Sequence, residues 1–181
     1  MKDRILPVKP IDVDSIPAAG HIVRIEADAD ARAAIAAEYG LVGVNSFVAE
    51  LEIGRQPNGS VTVEGRVRAE IVQNCVVSLE PVVQTIDEPI SMRYVAEGDA
   101  TAPAPPKPGA EVHIDPDVEP PDVLGDGTID PGAVALEHMA LAIDPYPRAP
   151  GAEIPTEFGE SPENGHESPF SVLAKLARTT N

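Results

Sequence analysis

From Val61 to Ile71 apolar and polar side chains alternate without a slip. Val61, Val63, Gly65, Val67, Ala69 and Ile71 fall on one side, and Thr62, Glu64, Arg66, Arg68 and Glu70 on the other. A period of two belongs to an extended strand and not to a helix, so this segment commits the chain to a half-buried β-sheet. Just upstream, Asn58-Gly59 is a strong hairpin signal. Before it, Phe47, Ala49, Leu51 and Ile53 alternate with Val48, Glu50 and Glu52. Two further stretches share the pattern. His21 to Ala27 places Val23, Ile25 and Ala27 together, and Thr85 to Val95 does so for Ile86, Ile90, Met92 and Tyr94, with Pro89 marking an edge or interrupted strand.

One helix is expected among these strands. Asp28 and Asp30 suit its N-terminus, a run of alanines its body and Gly40 its end. Aromatic residues make up only 3% of the 181 and Trp is absent, so the core must be built from Val, Ile, Leu and Ala. The expected fold is α+β: a small antiparallel β-rich domain, barrel or sandwich, with packed helices and a long acidic Pro-rich linker.

The linker follows from a change of composition. The chain has 20 prolines, and many fall between residues 96 and 128, in Ala-Pro-Ala-Pro-Pro-Lys-Pro-Gly and Asp-Pro-Asp-Val-Glu-Pro-Pro-Asp. Such a stretch has too little apolar surface to offset the entropy of ordering it. The plan is thus a β-rich core with one helix over 1–95 and a disordered acidic linker over 96–128. A helix docking on the core follows over 129–148, then a flexible acidic segment over 149–167 and a short C-terminal helix over 168–181. Asp130-Pro131 and Ser168-Pro169 each place a capping residue before a proline at the first helical position. Leu136, Met139, Ala140 and Ile143 form the apolar stripe of the first helix, and Phe170, Leu173, Ala174 and Ala177 that of the second.

Charge narrows the function. The formal net charge is −17, from 13 basic and 30 acidic residues. Residues 1–95 hold nine basic against fourteen acidic residues, net −5, and residues 96–181 hold four against sixteen, net −12. Nucleic-acid binding draws most of its affinity from cations that displace counterions on phosphates, so tight RNA binding by the whole surface is disfavoured. A basic protein partner fits the field better, although acidity can also serve solubility alone. No apolar run of signal-peptide length follows the N-terminus, and no stretch approaches the roughly 18 apolar residues that span a bilayer. The expected location is the cytoplasm, away from membranes.

Signatures of catalysis are absent: the sequence has no Gly-rich phosphate loop, nucleophile elbow or His-Glu-x-x-His motif. The four histidines are scattered, and Glu137-His138 is a pair of helix neighbours pointing about 100° apart, which suits a solvated face better than a dyad. The single Cys75 can form no internal disulfide and no multi-cysteine zinc site, and it reads as a packed thiol. No cofactor or metal is expected. Arg66 and Arg68, with Arg55 expected close by across the hairpin, could bind phosphate. Their interleaving with Glu50, Glu52, Glu64 and Glu70 favours cross-strand charge pairing.

A family resemblance rests on four stretches. Gly65 to Val82 carries Cys75-Val-Val-Ser78-Leu-Glu80-Pro81. Gly127-Thr-Ile-Asp130 leads into the helix, Ala142-Ile-Asp-Pro-Tyr146-Pro147-Arg148 follows it, and Ser168-Pro169-Phe170-Ser-Val-Leu173-Ala-Lys-Leu176 closes the chain. In this order the stretches resemble the YceD family of large ribosomal RNA subunit accumulation proteins, in the form found in alphaproteobacteria. Many members of that family carry Cys-x-x-Cys. Here Cys75 matches the first cysteine and Ser78 stands at the second, so a thiol pair or shared metal site cannot operate in this chain.

The resemblance implies a non-enzymatic role in large-subunit ribosomal RNA accumulation and ribosome biogenesis. Combined with the charge, it points to a basic large-subunit ribosomal protein or a pre-ribosomal particle as partner. The alternative is a direct RNA-binding module acting on precursor RNA through Arg55, Arg66 and Arg68. A hydrolase or nuclease is the least supported reading.

Overall fold

The alternating segments become the strands of a computed structural model that describes residues 4–102 and 120–153. Every element below belongs to the unit Met1–Ala149. In chain order they are β1 (Ile11–Asp12), a single 3-10 turn (Val13–Ser15), β2 (His21–Glu26), α1 (Ala29–Tyr39), β3 (Gly43–Arg55), β4 (Val61–Asn74), β5 (Pro81–Ala96), β6 (Asp122–Leu124), β7 (Thr128–Ile129) and α2 (Pro131–Leu141).

Five strands form one sheet in the order β2-β3-β4-β5-β6, and β1 pairs with β7 in a two-stranded ribbon. The first four strands of the sheet are antiparallel neighbours, whereas β6 joins β5 in parallel through Tyr94–Asp122, Val95–Val123 and Ala96–Leu124. Among the described residues the sheet closes into no barrel, because β2 and β6 remain its two edges. It does not form a sandwich of two large sheets either. Its apolar face is covered by α1, lying on β3, and by α2, lying on β4 and β5. A sheet capped by helices has its apolar side out of water and gains nothing by closing on itself.

The strands are longer than the alternation alone suggests. β4 runs to Asn74 and β5 begins at Pro81, so the hairpin between them continues well past Ile71 and Thr85. Pro89 lies where β5 has β4 as its one neighbour, and there a missing N–H donor leaves no ladder bond unmade. The stretch expected as a linker also yields structure at its far end, where β6 and β7 fall between residues 122 and 129. Residues 103–119 lie outside the described residues, as do those beyond 153, and with them the C-terminal helix expected over 168–181.

Both helices are held by the caps their sequences carry. The Asp28 carboxylate accepts from the Ala31 N–H at 2.8 Å, and Gly40 ends α1 in the left-handed region at φ 64°. The Asp130 carboxylate accepts from Gly132 and Ala133, with Pro131 opening α2. Of the stripe expected along α2, Ala140 is half-buried, Ile143 packs against the core just past the helix end, and Leu136 and Met139 are buried together with Val134 and Ala135. These side chains meet Ile35 of α1 and Phe47, Leu51, Ile53, Val63, Val67 and Ile71 of the sheet, all with almost no exposed surface.

β3 and β4 approach closely at Gly65. A Cβ there would collide with the Glu50 carbonyl and stand 2.9 Å from the Leu51 Cα. Glycine is therefore a steric requirement for the way the two strands pass one another.

Candidate functional site

The opposite face of the sheet is open and charged. Register places Arg24, Glu50, Arg66 and Pro89 in one row across four strands, with Glu52 opposite Glu64 and Arg68 opposite Asp87 in neighbouring rows. Arg66 Nη1 lies 2.8 Å from Asp87 Oδ1, and Arg68 Nε lies 3.3 Å from the same oxygen. The hydrogen bond from Arg66, with both guanidinium charges beside it, holds Asp87 below the usual carboxylate range. Arg24 Nη1 is 3.2 Å from Glu50 Oε1. Of the glutamates interleaved with the arginines, Glu50 pairs with a cation across strands, whereas Arg66 and Arg68 take Asp87 of β5 instead and Glu70 accepts from the Asn45 amide at 2.6 Å.

Arg55 does not join Arg66 and Arg68. It pairs with Val61 and shares the parity of Leu51 and Ile53, so it belongs to the other face of the sheet. There its Nη1 lies 3.0 Å from Asp14 Oδ1 on the 3-10 turn. The expected cluster of three guanidiniums is therefore two, because side chains in a strand change face at every residue.

A second locus lies at the far end of the β4–β5 hairpin. The connection 75–80 is a tight loop in which the Cys75 N–H donates to the Glu80 carbonyl at 2.8 Å and the Leu79 N–H to the Cys75 carbonyl at 3.0 Å. Cys75 is free and fully buried. Its Sγ accepts three backbone N–H groups, from Val77 at 3.4 Å, Ser78 at 3.3 Å and Ala149 at 3.3 Å. The Ala149 N–H, the Ser78 hydroxyl and the Ser78 N–H pull the thiol down to about 6, against the opposing effect of burial. Nothing in the local sequence supplies a cation for this shift, and backbone dipoles perform the same task.

Ala149 reaches Cys75 because the segment after α2 straps the hairpin end. The Gln84 amide donates to the Ala142 carbonyl at 2.7 Å and accepts from the Asp144 N–H at 3.0 Å. Gln73 Nε2 donates to the Asp144 carbonyl at 2.9 Å, and the Val76 N–H to the Pro147 carbonyl at 2.9 Å. Five hydrogen bonds in all join residues 142–149 to residues 73–84. Cys75, Ser78, Glu80 and Pro81 are thereby brought beside Tyr146, Pro147 and Arg148, the two motif-bearing segments lying some 70 residues apart in sequence. Pro169, Phe170 and Leu173 lie outside the described residues.

Leu79 is the residue the sequence did not single out. It is the sole non-glycine residue with positive φ among those described, at 63°, and its side chain is 74% exposed. A left-handed leucine costs roughly 1–2 kcal/mol, and here that cost is not offset by burial. No residue type announces such a conformation, so local sequence carried no signal for it.

Other groups offer little chemistry. His138 Nδ1 donates to the Val134 carbonyl of its own helix at 3.0 Å and is not turned towards Glu137 as a dyad. Tyr94 is pushed up to about 12 by burial and by the carboxylates of Asp122 and Glu137. Among the described residues no three His, Cys, Asp or Glu side chains converge on a metal position, and no helix is long and apolar enough to cross a membrane.

Compared with known proteins, residues 63–177 match the model of one family, the large ribosomal RNA subunit accumulation protein YceD. The match begins in β4 and takes in the hairpin end, α2, the strap and the Ser168-Pro169-Phe170 stretch of the sequence. No curated protein and no solved structure matches the chain.

Proposed function

The chain belongs to the YceD family, whose members are named for accumulation of large-subunit ribosomal RNA, and on that premise we propose that it binds a basic large-subunit ribosomal protein. In this reading it acts in the cytoplasm as a non-enzymatic assembly factor or escort, on the free protein or on a pre-ribosomal particle, and affects the RNA indirectly. One observation carries the reading. The net charge is −17, and Arg24, Arg66 and Arg68 on the open sheet face already sit against Glu50 and Asp87. A surface whose guanidiniums are matched internally has few cations left to release phosphate counterions, whereas its excess carboxylates attract a cationic protein. Such a partner would be held until the ribosomal RNA, a stronger polyanion, displaced it.

The test is a pull-down with the tagged full-length chain at low salt, with protein and RNA in the eluate both identified. One stoichiometric basic large-subunit protein that survives nuclease treatment supports the escort. Precursor RNA that is lost with Arg66→Glu, with no such protein, overturns it in favour of a direct RNA-binding face.

A further inference from the structure

Eight large apolar side chains are conspicuously exposed among the described residues, and six of them lie on the elements that meet at the far end of the β4–β5 hairpin: Val42, Val76, Leu79, Val83, Leu141 and Tyr146. The Val42 N–H bonds to the Val72 carbonyl, and Val72 pairs with Val83, which puts both valines at the end of the β4–β5 hairpin. Val76 and Leu79 are on the connecting loop. Leu141 precedes the strap and Tyr146 lies within it, next to Ala142 and Pro147, whose carbonyls are bound by Gln84 and Val76. A gathering of this kind is unusual on a surface that serves only solubility.

We propose that this end of the hairpin, with Leu79 as its anchor, is the docking surface for a cationic amphipathic segment of a protein partner. The inference rests on the escort reading and adds a place and an apolar component to it. Leu79 is held in a backbone conformation that glycine adopts more cheaply, yet it projects a branched apolar side chain into water. Strain and exposure together are unfavourable in the free protein and are compensated only when something covers the side chain. The occupant's charge follows from the carboxylates beside the patch, Glu70 two pairs along the ladder from Val83, Glu80 on the loop and Asp144 on the strap, and from the −17 of the chain. A second copy would bring the same negative charge. RNA would meet the same carboxylates with phosphates and has no aliphatic face to bury. A protein segment with lysines or arginines beside an apolar stripe satisfies both features.

The test uses the full-length chain and two synthetic helical peptides of equal positive charge. One has a leucine face, and the other has serine at every leucine. Wild type is expected to bind the leucine peptide about tenfold more tightly than the serine peptide. Leu79→Gly and Tyr146→Ala are each expected to erase that preference, and thermal melting checks that both variants are folded. Equal binding of the two peptides, or an unchanged preference in Leu79→Gly, overturns the docking surface while leaving a purely electrostatic escort standing. Failure of wild type to bind either peptide overturns the cationic-partner reading itself. Self-association in sedimentation that Leu79→Gly abolishes reassigns the patch to a second copy and overturns the proposal.

Discussion

The backbone N–H of Ala149 donates to the sulfur of Cys75 across 74 residues of chain, at 3.3 Å. The contact locks the strap after α2 onto the turn between β4 and β5. In this chain Cys75 is therefore a buried acceptor that joins two segments, without a second thiol. Cys75→Ala removes the acceptor and leaves three part-buried N–H groups without it, a loss that adds to that of the sulfur's own packing. The variant is expected to melt roughly 5 °C below wild type. Cys75→Ser, which keeps an acceptor, should fall between the two. Hydrogen exchange at the Ala149 amide checks the cause, since protection there should vanish in Cys75→Ala.

The same three donors set a pH dependence. The thiol is drawn from its ordinary value of 9.0 to about 6, so its folded value lies below its unfolded one. A group depressed in this way stabilises the fold fully above the unfolded value, and the contribution is lost as pH falls towards 6. Thiolate absorbance near 240 nm, followed from about pH 4 to 9, is expected to rise with a midpoint about pH 6 in the folded protein and to shift upward in denaturant. A folded midpoint above 8 would show that burial outweighs the backbone donors.

Leu79→Gly is expected to stabilise the free protein by about 1 kcal/mol, because glycine enters the left-handed region without a Cβ clash and little packing is lost with a side chain 74% exposed. Chemical denaturation measures this directly. A destabilised variant would mean that Leu79 packs against the fold more than its exposure indicates.

At Gly65 the sign reverses. Gly65→Ala forces a Cβ into the Glu50 carbonyl and against Leu51, both backbone groups of a central strand that cannot swing aside. A loss of about 3 kcal/mol is expected from such overpacking, read as a lower denaturant midpoint with an unchanged slope.

Asp87 decides between the two ways of using the open sheet face. Its lowered carboxyl stabilises the fold above the usual carboxylate range, and the contribution disappears as pH falls through its depressed value. The pair is solvent-exposed, so Asp87→Asn should barely move the denaturation midpoint near neutral pH. It does release Arg66 and Arg68. If the escort reading holds, RNA retention by Asp87→Asn stays at the wild-type level. A several-fold rise would reveal a suppressed RNA-binding face.

What the residues determine by themselves is local. The alternation from Val61 to Ile71, the Asn58-Gly59 turn and the Asp28 and Asp130 caps each specify geometry within a few residues, because pleat and helix repeat over two and 3.6 residues. β2 to β5, α1 and α2 were legible for that reason. The family motifs were legible as strings, but not what they build. The alternation through Leu51 and Ile53 does extend to Arg55, but nothing near Arg55 in sequence tells that Asp14 meets it there, and nothing near Leu124 tells that the strand it closes returns to pair in parallel beside Val95. Those choices depend on which surfaces meet. Two helices cap the apolar face and leave the sheet open, and the strap from Ala142 to Ala149 closes over a thiol 74 residues away. Contacts between segments so distant are chosen by burial and by the need to pair buried backbone groups across the whole fold, and no window of sequence contains both partners.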